Sequence, residues 1–594
     1  MSLLTLPDAL RAAAETAGGF GYLAENGRTV ERQSFARLLE DALAAAGGLR
    51  AAGLEPGEAV ALILPDARAF LTTFFGASCA GLVPVPLYPP TRLDQLGAYL
   101  RATTPAVGAS RAAALVTTAP LRRVFGDFQA HVPTVRAVLD VDRLAGPPLA
   151  GPASRTLDDP VFLQFTSGST SDPKGVVLSH RNLAENCAAI AGPRGLALQP
   201  DDLGFSWLPL YHDMGLIGMA LTVMYAGCST TFLSPLAFLK RPSVWLRAIS
   251  AEGATVSFAP NFAYDLCVRR VRDDELQGVD LSRWRVAGCG AEPVRAATLA
   301  AFARRFGGVG FRTGAFFPCY GLAEHTLAVT FPPLGRGPRV DTVRADALAS
   351  AGRAIPCGDA GAGRADLVSC GRPFPAHEVR IADDRDRPLA DRHVGQILLR
   401  GPSVFRGYLG RPALTRETLA HGWLHSGDTG YLADGELYVC GRVKDTIIVN
   451  GRNYYPQDLE QAAADVPEVK KGRVVAFGTA ADAGGDRIVL VVEPSASPAP
   501  EDLAHRVQGR VIDVTGVAVD EVVVAPPGTI PKTTSGKLQR VRVREQFEAG
   551  TLLRPRPVTS RTRLVGHVVK TQLVYARARA SRLLGVRPRR GGRG

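Results

Sequence analysis

Residues 162–180 read FLQFTSGSTSDPKGVVLSH. A β-branched and aromatic run at 161–165 predicts a strand. It feeds a loop in which Thr166, Ser167, Gly168, Ser169 and Thr170 precede Lys174 and Gly175. Small hydroxyl residues around a glycine let backbone N–H and side-chain O–H groups converge on a polyanion, and the lysine adds a mobile positive charge. The spacing is not that of a Walker A loop, G-x-x-x-x-G-K-[ST]. On composition alone, the same stretch also describes an ordinary Ser/Gly-rich connection.

The string TSGSTSDPKG (166–175) resembles the signature of the adenylate-forming superfamily: acyl-CoA synthetases, fatty acyl-AMP ligases, peptide-synthetase adenylation domains and luciferases. Ser171 stands where many members have glycine, at a position that tolerates substitution. Further motifs follow in the family's order. WLPLYHDMGLIG (207–218) resembles the second motif and carries His212, which the resemblance sets near the carboxylate and phosphates. An imidazole there can donate to developing negative charge. GAEP (Gly290, Ala291, Glu292, Pro293) and YGLAE (320–324) resemble the nucleotide-binding pair. The resemblance implies that Tyr320, followed by Gly321, stacks on adenine and that Glu324 is a ligand for Mg²⁺, a hard cation that takes carboxylate and phosphate oxygens together. WLHSGDTGY (423–431) supplies Asp428 and GRVKDTIIVNGRNYY (441–455) supplies Arg442, both implied ribose contacts, with Lys444 the implied hinge. IPKTTSGKLQR (530–540) carries Lys537, the family's adenylation lysine, a point charge for the α-phosphate. Taken singly, a Lys in such a loop is a solvated surface residue and an Asp in a turn is turn chemistry.

Within the superfamily the fatty acyl-AMP ligase branch is the nearest resemblance. The HDMGLIG form, PNFAYDL (260–266), GAEP, KDTII (444–448) and GRNYYPQDLE (451–460) all look like it, as does an insertion at 341–367 ahead of VSCGRP. In that branch such an insertion packs against the small domain and disfavours the CoA-competent arrangement. The resemblance therefore implies ATP-dependent activation of a fatty acid to acyl-adenylate, then transfer to the phosphopantetheine of a stand-alone acyl carrier protein or a carrier domain of a polyketide or non-ribosomal peptide synthase. Two rivals stand beside it: a long-chain acyl-CoA synthetase with CoA as acceptor, and a non-catalytic acyl or nucleotide binder held by its tail.

These residues need a scaffold, and the chain alternates helical and β-branched segments. Residues 35–52 and 67–79 read as helices; 59–64, 113–117, 255–258 and 396–400 read as strands. A second α/β pattern follows, with strands at 474–477, 488–492 and 521–524 and a helix at 503–511. The expected fold class is α/β: a large N-terminal domain (1–441) of two α/β subdomains and a small β subdomain, a hinge at 442–444, and a small mobile α/β domain at 445–550. Residues 335–367, rich in Gly, Ala, Arg and Asp, read as a long loop. Residues 214–239 carry no charge and are long enough to span a bilayer, yet the Pro, Gly, Ser and Thr within them predict a buried helix followed by a buried strand.

The net charge of +13 is local: residues 551–594 hold twelve Arg and Lys and no acid. Helical spacing of apolar residues at 564–584 admits contact with an anionic membrane, a carrier-facing or disordered extension, or, least of all, nucleic acid. Nine cysteines without a C-x-x-C pair suit a reduced, cytoplasmic protein, peripheral to membrane if the tail binds lipid.

Overall fold

The structure is a computed structural model. It describes residues 3–553 other than 26, 28–29, 91–95, 126–127, 145, 167–172, 359–362, 450–451, 481–485 and 533–537. Ser167, Gly168, Ser169, Thr170, Lys537 and the tail beyond 553 therefore lie outside the described residues.

Two sheets with parallel cores dominate the N-terminal part. One runs Phe316–Pro318, Val286–Cys289, Val256–Ala259, Leu203–Ser206, Ser229–Leu233, Gly19–Leu23, Val30–Ser34, and only its last pair is antiparallel. The other is fully parallel, in the order Val83–Pro86, Ala59–Ile63, Ala114–Thr117, Ala137–Asp140. Helices cover such sheets on both faces, so their strands read as unbroken apolar runs. The helices at Phe35–Ala51 and Ala67–Cys79 begin where side chains satisfy free N–H groups: Ser34 accepts from Arg37 N and Asp66 from Ala69 N. An antiparallel sheet of Glu378–Ala382, Gly395–Arg400 and Trp423–Ala433, flanked by Glu436–Arg442 and Leu419–Ala420, completes this part.

The largest aromatic cluster lies under the first sheet, where Trp245, Trp284 and Tyr264 are fully buried. Each polar tip is satisfied: Trp245 Nε1 donates to Ser257 Oγ (3.0 Å), Trp284 Nε1 to Val286 O (2.8 Å) and Tyr264 OH to Gly288 O (2.8 Å). After Arg442 a separate pair of cores forms around Val469–Ala480, Asp486–Pro494 and Glu521–Val524, covered by Pro456–Ala464, Leu503–Thr515 and Arg540–Glu548.

Two expectations need correction. Residues 335–367 are not a loop: Val340–Arg344 pairs with Arg364–Val368 as an antiparallel hairpin, and Ala345–Ala351 is a helix ended by Gly352 at φ +58°. The alternating Val, Leu and Ala that pack inward were diluted by the Arg and Asp of the outer face. The uncharged stretch is a π-helical turn (Met214–Leu221) and a short α-turn, then the strand Ser229–Leu233, then a further helix, Pro235–Lys240. Among the described residues no helix is long and apolar enough to cross a membrane. All nine cysteines are free, eight of them beneath or near the surface of a core.

Two buried histidines govern acid stability. His180 accepts the N–H of Leu6 at Nδ1 (3.0 Å), docking the first helix, and burial lowers its pKa to about 4. His325 is fully buried 5.1 Å from the ring of His377, and burial followed by that neighbour lowers it to about 3. The unfolded chain takes up these protons near pH 6.5 while the folded chain does not. Their contribution is therefore whole above pH 6.5 and is lost as pH falls towards 4 and 3, at about 1.4 kcal/mol per pH unit per group. Urea midpoints should drop steadily from pH 7 to 4.5. His180→Asn, whose Oδ1 can accept from Leu6 in place of Nδ1, should flatten part of that slope.

Candidate active site

The ends of the parallel strands open into one cleft of about 4200 Å³, too large for any single small ligand and shared between the N-terminal part and residues beyond 442. At its centre Asp428 is held from two sides. Tyr320 OH donates to Oδ2 at 2.7 Å, and Arg442 Nε donates to Oδ1 at 3.1 Å. Asp428 and Arg442 are direct partners in the antiparallel register of Trp423–Ala433 and Glu436–Arg442, so backbone pairing fixes their spacing. Burial, then the adjacent Asp428 carboxylate, pushes the Tyr320 phenol well above its ordinary range, so it stays a donor.

Glu324 forms the second focus. Its Oε1 accepts from Tyr408 OH at 2.7 Å, and Lys174 Nζ lies 5.4 Å from the centre of the same phenol ring. Tyr408 belongs to a two-residue strand, Gly407–Tyr408, that pairs with Lys174–Ser179, itself paired with Pro160–Thr166. The Glu324 end of the chain is tightly constrained. Thr326, two residues on, is fully buried at φ +65° with its hydroxyl donating to Ser403 O at 2.7 Å. Ala291 shares that left-handed backbone, at φ +65°. Two non-glycine residues in this region flanking one cleft are strain of about 1–3 kcal/mol each, held by the surrounding packing.

His212 is fixed by Asp213, whose Oδ1 lies 2.7 Å from Nδ1, just before the π-helical turn. Gly215 in that turn lies so close to Pro209 that a Cβ would meet its carbonyl at 2.3 Å. Glu292 lines the cleft, yet its Oε1 accepts from the N–H of Phe262 at 2.6 Å, so it anchors the start of the helix Asn261–Arg270. Gly290 does not line the cleft; a Cβ there would meet Cys319 Sγ at 2.8 Å. Lys174, His212, Ala291, Tyr320, Gly321 and Glu324 all line the cleft, as do Asp428, Arg442 and Lys444. Thr166 closes its strand; Ser167–Thr170 and Lys537 are outside the described residues, but their flanks, Phe165 and Lys174 on one side and Lys532 and Leu538 on the other, line the same cleft.

Several residues were not legible as functional in the sequence. Tyr408, within FRGYLG, is 84 residues from Glu324 and carries no motif spacing that ties the two. Gln164 is buried two residues ahead of Thr166, donating to Tyr211 O (3.0 Å), while its Oε1 has no partner among the described residues. Arg295, two residues past Pro293, crosses the cleft to donate to Gln457 O at 3.1 Å. Tyr455 packs with Val343, Leu348, Tyr431 and Tyr438, so the insertion hairpin, the antiparallel sheet and the chain after Lys444 share one apolar cluster. Only glycine fits at 441, since a Cβ would stand 2.8 Å from Tyr455 Cδ1.

Asp458 lies beside this crossing on the exposed side of the helix Pro456–Ala464, facing the cleft. Arg295→Ala removes the hydrogen bond to Gln457 O, at a cost of about 0.5–1.5 kcal/mol. Hydrogen exchange should then speed up at residues 454–460 relative to the wild type.

The AMP-binding enzyme family profile matches residues 11–409, and a Disco-interacting protein 2-like AMP domain profile matches residues 444–554. A Caulobacter vibrioides protein named as an acyl-CoA synthetase is 36% identical over 552 residues, 92% of this chain and 96% of that one. The medium-chain-fatty-acid–[acyl-carrier-protein] ligase JamA of Moorena producens is 33% identical over 563 residues, 90% of this chain and 93% of its own. A solved structure from the fatty acyl-adenylate ligases of E. coli and L. pneumophila superposes with a TM-score of 0.87 at 37% identity, covering 92% of this chain and 98% of the other.

Proposed function

The chain belongs to the AMP-binding enzyme family, and from that premise we propose that it is a fatty acyl-AMP ligase that passes its acyl group to a carrier protein. In the first half-reaction a carboxylate oxygen of the fatty acid attacks the α-phosphorus of ATP. The bond to the β-phosphate oxygen breaks, and pyrophosphate leaves with the electron pair. In the second, the sulfur of a phosphopantetheine thiol attacks the acyl carbonyl, the acyl–oxygen bond to AMP breaks, and the thiol proton is lost. The carrier is a stand-alone acyl carrier protein or a carrier domain of a polyketide or non-ribosomal peptide synthase.

The observation that carries this reading is Asp428 held between Tyr320 and Arg442 in the cleft that Lys174, His212 and Glu324 also line. With its orientation fixed, the Asp428 carboxylate can accept from two ribose hydroxyls, while the Tyr320 ring offers a face for adenine. The hydroxyls and N–H groups of 166–170 and Lys174 take the phosphates, and Lys537 brings its ammonium to the α-phosphate. His212, its Nδ1 engaged by Asp213, has Nε2 left for the carboxylate or phosphate. Mg²⁺ is the ion we assign to Glu324. Among the described residues no three His, Cys, Asp or Glu side chains are grouped to hold a metal, which suits an ion bound by one carboxylate together with phosphate oxygens. When bound, the ion neutralises charge on the leaving phosphates.

Residues 1–441 and 445–550 act as two domains in this reading, with 442–444 the hinge about which Lys537 is withdrawn before the thiol enters. The packing of Leu348 and Val343 against Tyr455, and of the helix Ala345–Ala351 on Arg452–Tyr454, supports the carrier as acceptor, because a turn braced in this way is offset more readily by the contacts of a docked protein than by free CoA. The relative named as an acyl-CoA synthetase keeps CoA as the rival acceptor.

Mass spectrometry of products from ATP, a fatty-acid panel and either CoA or a phosphopantetheinylated carrier tests both halves. Acyl-adenylate and acyl-carrier are expected, and Lys537→Ala should slow adenylate formation about 10²–10³-fold. Leu348→Glu, which unseats the insertion, should raise acyl-CoA formation relative to the wild type. Equal use of CoA by both proteins would favour the rival; absence of any adenylate would sink the enzyme reading.

A further inference from the structure

Glu324 emerges from the parallel sheet on a short helical turn, Ala323–His325, and its side chain alone would rotate freely in a cleft this wide. The structure supplies a restraint from a distant strand. Phe405 N–H donates to the backbone carbonyl of Glu324 at 2.8 Å, Leu409 N–H donates to Gly175 O at 2.8 Å, and Tyr408 OH donates to Glu324 Oε1 at 2.7 Å. Residues 405–409 are thus stitched at one end to Glu324 and at the other to the strand that begins at Lys174.

The tyrosine itself is locked. It is 7% exposed, meets Phe405 edge-on at 4.8 Å between ring centres, and donates its N–H to Thr415 Oγ1 at 2.9 Å. The preceding Gly407 adopts φ +141°, and a Cβ there would meet Thr415 Cγ2 at 2.6 Å, so glycine is required for the approach.

We propose that Tyr408 is a positioning residue for the adenylation step. Through its hydroxyl it fixes the rotamer of Glu324, and through its ring and strand it ties that carboxylate to Lys174 on the phosphate-binding side. A donor on Oε1 leaves Oε2 and the second lone pair of Oε1 available to a cation that accompanies the triphosphate. A carboxylate fixed in advance does not have to give up side-chain rotational freedom when that cation arrives. The proposal rests on the reading of Glu324 as a metal ligand.

Binding of Mn²⁺ in the presence of a non-hydrolysable ATP analogue, followed by the paramagnetic signal of free Mn²⁺, reads the effect without turnover. Tyr408→Phe keeps the ring over Lys174 and removes only the donor. It should weaken nucleotide-dependent Mn²⁺ binding about tenfold or more, leave the KM for the fatty acid unchanged and lower kcat. Tyr408→His, which can donate from its ring, should recover part of the affinity and serves as the folded control if the Phe variant is unstable. In a Glu324→Ala background Tyr408→Phe should add nothing. Wild-type Mn²⁺ affinity in a folded Tyr408→Phe protein, or additive losses with Glu324→Ala, would overturn the positioning role alone. A wild type that forms adenylate but binds no Mn²⁺ with the nucleotide analogue would overturn this role together with the metal assignment, and one that forms none would take the enzyme reading with them.

Discussion

A single carboxylate, Asp428, joins the two halves of the site. It takes a hydrogen bond from Tyr320, at the carboxyl end of the parallel sheet, and an ion pair from Arg442, at the last residue of the antiparallel sheet. The first contact depends on strand packing in the α/β core, and the second on the register of one hairpin. Shifting that register by one residue would turn either side chain to the opposite face. Two residues beyond Arg442 the chain reaches Lys444 and enters the second pair of cores, so the ion pair that fixes Asp428 also stands at the threshold of the C-terminal part.

How much of this the sequence revealed follows from what each feature rests on. Parallel strands such as Ala59–Ile63 and Ala114–Thr117 announce themselves because burial on both faces leaves no charged residue in the run. Motif residues such as Asp428 and Arg442 stood out because their neighbours are glycines and turn formers in a family pattern. The insertion hairpin was hidden because its inward residues, Val343, Ala365 and Leu367, alternate with Arg and Asp over strands of only five residues, and their apolar neighbours lie in the distant antiparallel sheet. Tyr408 and Arg295 were illegible for a related reason: their partners, Glu324 and Gln457, are 84 and 162 residues away. Local pattern fixes elements, whereas contacts of that separation exist only once the sheets are assembled.

The site also shows how rigidity is distributed. Ala291 and Thr326 are kept in unfavourable backbone conformations beside the cleft, and the buried His325–His377 pair lies directly behind Glu324. These costs are borne by the N-terminal cores, in which Trp245, Trp284 and Tyr264 are satisfied in both packing and hydrogen bonding. The residues expected to meet phosphate directly, at 166–170 and 537, are flanked in the chain by the paired strands Pro160–Thr166 and Lys174–Ser179 and by the Lys532–Leu538 bridge.

Tyr455 gives that division an energetic meaning. It is 7% exposed, wedged among the insertion and two stacked tyrosines whose rings lie 4.9 Å apart. Any swing of the C-terminal part that drew it into water would forfeit on the order of 2–3 kcal/mol of apolar contact, a population penalty near one hundredfold. A hydrophobic plug thus sets how small a share of molecules could leave this arrangement unaided.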